Sequence, residues 1–170
     1  MSELPMINIK DIDLIDHFPG YDEFSGPIPE RARGGRWGKV GQSLGSRKLG
    51  CSLTVVPPGK VMFPYHIHHA NEEMVHVVLG KGTVRYEDEE FAISEGDIIL
   101  FPIGSAHQIR NTSDSELRYL VFSTLVFPEV CEYPDSEKIS AMPEPERSRF
   151  HITYKQDRRP YWESETLDRK

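Results

Sequence analysis

Residues 66–80 read HIHHANEEMVHVVLG, and residues 96–111 read GDIILFPIGSAHQIRN. Both stretches contain short runs of Val, Ile, Leu and Phe that end at Gly, Pro or Asn, a pattern typical of strands closed by turns. The same pattern of short apolar runs that end at turn residues extends from Gly50 to about Phe127. No helical crossover separates these runs, so we expect a mostly antiparallel sandwich or barrel. The predicted strands are Ser52–Val56, Val61–His66, Met74–Leu79, Thr83–Glu87, Glu90–Ile93, Asp97–Phe101, His107–Arg110 and Leu117–Val126.

Two connections between these strands have a recognisable composition. Gly80-Lys81-Gly82 predicts a tight turn between two strands. The charged run Glu87-Asp88-Glu89-Glu90 predicts the solvated tip of a hairpin.

The segments on either side of this region are rich in Gly and Pro. We predict that residues 1–49 form an extended N-terminal arm that packs on the barrel, and that residues 50–127 form the barrel core. Residues 128–170 are predicted to be a C-terminal wrapping segment and tail. A chain of 170 residues has the size of one domain.

The composition excludes several classes of protein. The chain has 27 Asp and Glu against 20 Lys and Arg, a net charge of −7, so it is a poor match for nucleic acid. No run approaches the roughly 18 apolar residues of a membrane helix, and the acidic start is unlike a signal peptide. We therefore expect a cytoplasmic protein, in which Cys51 and Cys131 are reduced, inert core thiols.

The histidines predict a site. Side chains two residues apart on a strand share a face, so His66 and His68 point the same way. Glu73 begins the next predicted strand after a short reversal, which can bring its carboxylate beside the pair. In the second stretch, His107 opens a strand after a Pro-x-Gly corner. An HxH pair alone is weak evidence for a metal site, but the two stretches together are much stronger evidence for one.

These stretches resemble the paired motifs of the cupin superfamily. The first motif, G-x5-HxH-x3,4-E-x6-G, is matched except at its leading glycine, because Gly59 lies one residue too far from His66. The second, G-x5-PxG-xx-H-xxx-N, is matched throughout. The resemblance implies a small β-barrel of the jelly-roll type. It also implies that three histidines and one glutamate hold a divalent metal inside the barrel. The implied ligands are His66, His68, Glu73 and His107.

The chemistry of this ligand set agrees with the resemblance. Three neutral imidazoles and one carboxylate suit Fe, Mn, Ni, Co, Zn or Cu, and affinity alone does not select among them. An ion that prefers six ligands would keep two positions for water, substrate or dioxygen. Two alternatives remain, a closed structural site and a barrel that has lost its metal.

Neighbouring residues supply candidates for proton transfer. Glu72, His69 and Tyr86 are the candidate catalytic residues, although Glu72 could instead replace Glu73 as a ligand and Tyr86 could simply pack. His76 is predicted on the face opposite Glu73, and Asn111 is predicted to orient the turn that follows it.

Three functions are compatible with such a site. The first is a metal-dependent isomerase or lyase that acts on a small polar metabolite, such as a sugar, a sugar phosphate or a keto or hydroxy acid. The second is a non-haem iron dioxygenase, and the third is a metabolite-binding module without turnover. By resemblance we also expect a homodimer, formed through the arm or through an outer sheet face.

Overall fold

A computed structural model describes residues 4–16, 28–143, 151–157, 159–160 and 163 of the chain. The described residues are nearly all in strands and loops, and no helix among them has the length and hydropathy needed to cross a membrane. A single turn of α-helix, α1, spans Val40–Ser43. Short 3-10 helices lie at Ile9–Asp11, Glu30–Ala32 and Pro134–Ser136. The strands are β1 Ile15–Asp16, β2 Arg36–Lys39, β3 Leu49–Val56, β4 His66–His68, β5 Glu73–Leu79, β6 Lys81–Tyr86, β7 Glu89–Ser94, β8 Ile98–Phe101, β9 Ala106–Arg110, β10 Leu117–Thr124, β11 Glu129–Tyr133, β12 Lys138–Met142 and β13 His151–Tyr154.

The strands form two sheets. The first has the order β1-β2-β3-β10-β5-β8, and the second has the order β13-β12-β11-β4-β9-β6-β7. Every strand pairing between described residues is antiparallel. Consecutive strands often lie in different sheets, as in a jelly roll. The expected all-β, antiparallel jelly-roll fold is therefore confirmed.

The main core lies between the two sheets. Alternate residues of β5, such as Val75 and Val77, are almost completely buried, as expected for one face of a strand. They belong to one cluster with Phe101 of β8, and with Leu117 and Tyr119 of β10. This cluster fills the interior beside the histidine-bearing strands.

A second apolar cluster lies on the opposite face of β3. Leu53 and Val55 alternate with the inward-facing side chains of β3, and they pack with Ile12 and Val40. The N-terminal segment thus covers part of the first sheet, while residues 17–27 lie outside the described residues. The division into arm, core and wrapping segment stays a prediction.

One local prediction is wrong, and the turn predicted at Gly80 is present between β5 and β6 but is not a hairpin. Residues 62–65 do not form the expected strand, and Val61 makes only an isolated bridge to Arg110. Pro64 lacks the N–H that a ladder needs, so the regular strand begins at His66. Gly80 is not part of a hairpin turn, because β5 and β6 belong to different sheets. By contrast, the exposed tip at Glu87 and Asp88 between β6 and β7 is confirmed.

Gly80 makes the corner between the sheets, and its substitution is expected to destabilise the protein. Its φ is +84°, and an added Cβ would overlap the Glu116 carbonyl oxygen and lie 3.2 Å from Leu117 Cα. Gly96 also has a positive φ, of +94°, but its Cβ position is open. We expect Gly80→Ala to lower the free energy of unfolding by about 2 to 4 kcal/mol and Gly96→Ala by about 1 kcal/mol. Urea denaturation of both variants would test this, and equal losses would contradict it.

Candidate metal centre

Three histidines and one glutamate meet between the two sheets. His66 and His68 lie on the same face of β4, and His107 of β9 is the register partner of His66. Glu73 is the first residue of β5 and comes from the other sheet. One ligand atom from each of these four residues lies within 4.8 Å of the other three.

The distances within this cluster fit a divalent ion. Glu73 Oε2 lies 3.3 Å from His107 Nε2, and Glu73 Oε1 lies 3.7 Å from His68 Nε2. Ligand atoms about 2.1 Å from a shared ion would be separated by about 3 to 4.2 Å. The donor set therefore has both the spacing and the chemistry for one metal ion.

The other ring nitrogen of each histidine contacts the protein. His66 Nδ1 lies 2.9 Å from the Pro64 carbonyl oxygen, and His107 Nδ1 lies 3.2 Å from the Ser105 carbonyl oxygen. When these nitrogens carry their hydrogens and donate to the carbonyls, the Nε2 lone pairs are left for a metal. Main-chain groups thus orient two of the three rings.

His68 differs from the other two histidines. Its Nδ1 lies 3.2 Å from Cys131 Sγ and 3.7 Å from Glu129 Oε1. Both of these residues are on β11 and are buried. The sequence motifs do not predict this pair, because none of them includes it, and the expectation of an inert Cys131 thiol does not account for its contact with His68.

Burial and the contacts among these residues shift the pKa values of three of them. Burial by itself raises the pKa of Glu73, but the hydrogen bond from His107 and the histidine charges outweigh it and lower the pKa to about 2. Burial, together with the neighbouring His107 and His68, lowers the pKa of His66 to about 3. Burial also opposes the charged form of His68, yet its contacts with Cys131, Glu129 and Glu73 raise its pKa to about 10. Glu73 is therefore ionised at neutral pH.

An aromatic side chain closes one side of the cluster. Phe101, which is 1% exposed, stacks on the His107 ring at 4.0 Å with an interplanar angle of 4°. The ring of Phe101 is also stacked with that of Tyr86, at a centroid distance of 6.2 Å. Phe101 therefore excludes water from one face of His107 and fixes the plane of that ring.

The three candidate catalytic residues lie in different surroundings. Tyr86 is half-buried on β6 and is the register partner of His107. His69 is exposed, and its Nε2 lies 2.9 Å from Glu132 Oε1. Glu72 is also exposed. The structure thus places Glu73 in the cluster, and neither Glu72 nor His69.

A cavity of about 340 Å³ lies near Tyr86. Its other lining residues, on β6 to β8 and in the turn before β8, are Val84, Phe91, Ala92, Ile93, Asp97, Ile99 and Leu100. None of the four clustered ligand residues lines it.

Asn111 orients the following turn, as predicted. It is 1% exposed, and its Nδ2 donates to the carbonyl oxygens of Val56, at 2.8 Å, and Ser115, at 2.7 Å. Its Oδ1 accepts from Ser113 N at 3.0 Å and from Ser113 Oγ at 2.8 Å. Asn111→Ala removes these four hydrogen bonds, one of them to the buried Val56 carbonyl oxygen, so we expect it to lower the free energy of unfolding by about 2 to 4 kcal/mol. Urea denaturation would measure this loss, and a loss below about 1 kcal/mol would contradict it.

The chain resembles several known proteins. A family profile described as "Cupin domain" matches residues 52–123. A protein from Acidithiobacillus ferrooxidans, provisionally named a sugar phosphate isomerase, is 30% identical, with a TM-score of 0.66 over 74% of this chain and 80% of that chain. A sugar phosphate isomerase from a cupin superfamily, from Silicibacter pomeroyi, is 23% identical, with a TM-score of 0.76 over 90% of this chain and 94% of that chain. The second likeness supports the fold alone.

One curated relative is named for its ligand. The oxalate-binding protein of Thermotoga maritima is 28% identical over 71 residues, which are 42% of this chain and 58% of that protein. The chain spans between 58% and 66% of the length of the curated relatives it matches.

Proposed function

Because the chain belongs to the cupin superfamily, we propose that it is a metal-dependent isomerase of a sugar phosphate. The observation that carries this proposal is the set of three imidazole nitrogens and one carboxylate between the sheets, in which His107 is buried and the other three residues are half-buried. A divalent ion held there would supply a Lewis acid for a carbonyl or hydroxyl oxygen. The 30% identical protein from Acidithiobacillus ferrooxidans supports the substrate class.

The ligands proposed for the ion are His66, His68, Glu73 and His107. Their Nε2 and carboxylate oxygen atoms converge, and Glu73 brings the negative charge that partly balances a divalent cation. Fe, Mn, Ni, Co, Zn and Cu all suit this set, so the identity of the ion is left to metal analysis.

Isomerisation also needs a group that moves a proton. We propose Tyr86, because it lies directly across from His107 on the adjacent strand, and paired residues of this kind have Cβ atoms about 5 Å apart. Its phenol can donate to and accept from a sugar hydroxyl. Glu72 and His69 stay predictions for this role. Their side chains are exposed, which makes them weaker candidates than Tyr86.

The proposal is tested by proton exchange under nitrogen. Protein loaded with Mn²⁺ or Zn²⁺ would be incubated with aldose and ketose phosphates in deuterated water, and NMR would follow interconversion and deuterium uptake at carbon. We expect turnover by the loaded protein, none by His66→Ala, and a rate at least about tenfold lower for Tyr86→Phe. His76→Ala is the matched control, because His76 lies on the outer face of β5.

Other outcomes would overturn the proposal. Oxygen consumption by the iron-loaded protein with a substrate would indicate a dioxygenase instead. Tight binding of a metabolite without turnover would indicate a binding module, which the curated oxalate-binding relative makes the second candidate.

We also propose a cytoplasmic homodimer. Cys51 and Cys131 are free thiols, which agrees with a reducing compartment. The outer face of the first sheet exposes Met74 at 43%, Ile98 at 68% and Leu100 at 48%, and such an apolar surface is typical of a contact between subunits. Light scattering would measure the mass in solution, and a monomer would contradict the proposal.

A further inference from the structure

We propose that Cys131 and Glu129 are positioning residues for His68. The His68 Nδ1–H donates to Cys131 Sγ, and the Cys131 thiol donates to Glu129. This inference rests on the metal site proposed above and concerns residues that lie outside the matched segment of residues 52–123.

The contacts form a chain in which each group has a suitable partner. His68 Nδ1 and Cys131 Sγ are 3.2 Å apart, and Cys131 Sγ and Glu129 Oε1 are 3.8 Å apart. A thiol is both a weak acceptor and a weak donor, whereas an ionised carboxylate only accepts. The direction of the chain therefore runs from imidazole to thiol to carboxylate.

The far end of this chain is fixed by the protein. Glu129 is 2% exposed, and its Oε1 accepts from the backbone N–H of His69 at 3.0 Å and of Ala70 at 3.4 Å. Its Oε2 accepts from Asn71 Nδ2. Asn71 is held in turn, because its Oδ1 accepts from Val126 N at 2.7 Å. The carboxylate is thus part of a rigid network.

This network also argues against a second metal ion at the same place. His68, Glu129 and Cys131 offer three ligand atoms within 4.8 Å of one another. However, Glu129 already accepts three hydrogen bonds from His69, Ala70 and Asn71, and an ion there would have to replace them. The geometry therefore favours a role behind His68 over direct ligation.

The consequence for His68 is a fixed tautomer and ring plane. With hydrogen on Nδ1, Nε2 is the nitrogen that can bind an ion, and it lies 3.7 Å from Glu73 Oε1, which would bind the same ion. The Nδ1 atoms of His66 and His107 contact backbone carbonyl oxygens instead, and side-chain substitution does not remove these oxygens. Of the three histidines, His68 is the one whose Nδ1 contacts side chains, so substitution at Cys131 or Glu129 would change metal binding through His68.

Two substitutions of Cys131 test the proposal, because serine should restore the metal affinity that alanine loses. Zn²⁺ affinity would be measured by competition with a chromophoric chelator for the wild type, Cys131→Ala, Cys131→Ser and Glu129→Gln. We expect about tenfold weaker binding for Cys131→Ala, and about 10- to 100-fold for Glu129→Gln. Cys131→Ser should stay within about threefold of the wild type, because a hydroxyl also accepts and donates. Cys51→Ala is the matched control and should not change the affinity.

A second readout separates positioning from packing and from ligation. The visible spectrum of the Co²⁺ protein reports ligand geometry, and we expect Cys131→Ala to change it while Cys131→Ser does not. If Cys131 only fills space, serine would rescue neither the affinity nor the spectrum. A thiolate-to-cobalt charge-transfer band, or two ions per chain, would show that Cys131 is a ligand and would overturn the proposal.

The outcomes also distinguish this inference from the proposed function. Absence of metal binding by the folded wild type would overturn the metal-dependent function and the positioning role together. Metal binding by the wild type with unchanged affinity in Cys131→Ala and Glu129→Gln would overturn only the positioning role. Circular dichroism of each metal-free variant would establish that the variants are folded.

Discussion

The variant His107→Ala is expected to lose its metal. His107 is 4% exposed, and its Nε2 faces Glu73 at 3.3 Å, so no solvent-exposed side chain can take its place. Loss of a residue behind a ligand costs about 10- to 100-fold in metal affinity, and loss of the ligand itself should exceed about 100-fold. Metal analysis after gel filtration would show about one ion per wild-type chain and less than about a tenth of that in the variant.

His76→Ala provides the comparison for this measurement. His76 lies on β5 three residues after Glu73 and points to the other face of the sheet. Its metal content should equal that of the wild type. An undiminished metal content in His107→Ala would contradict the assignment of the whole cluster.

The variant Phe101→Ala is expected to lose the most stability. Phe101 is 1% exposed, lies in the core cluster and stacks on His107 at 4.0 Å. Removal of a buried phenyl group usually lowers the free energy of unfolding by about 3 to 5 kcal/mol, because apolar burial is lost and a cavity remains. Chemical denaturation of the metal-free proteins would measure the difference.

Phe91→Ala is the matched substitution at an exposed site. Phe91 is 48% exposed on β7, an edge strand of the second sheet, and its removal should cost less than about 1 kcal/mol. Similar losses in the two variants would contradict the assignment of Phe101 to the core.

Strand alternation and the resemblance to the cupin motifs together predict the four clustered residues. His66 and His68 are related by strand alternation, and the spacing from His68 to Glu73 leaves room for only a short reversal. His107 follows a Pro-x-Gly corner that fixes where its strand begins. The meeting of His107 with the other three depends on the pairing of β4 with β9, which no local pattern encodes.

Relations between distant segments could not be predicted. Cys131 is the register partner of His68, although 63 residues separate them in the chain. The pairing of β11 with β4 depends on how the C-terminal segment folds back, and no sequence pattern near Cys131 indicates this pairing. Likewise, a glycine after a strand looks the same whether the chain turns into a hairpin or, as at Gly80, passes to the other sheet.

The four proposed ligands are divided between the two sheets, three on one and Glu73 on the other. A bound ion would therefore cross-link the two layers, and mass action would make the stability of the fold depend on the metal supply. At a free metal concentration of 1,000 times Kd, this contribution is about 4 kcal/mol. Metal-starved cells would hold chains that unfold more often and are degraded faster, so the abundance of the protein would follow the availability of its ion.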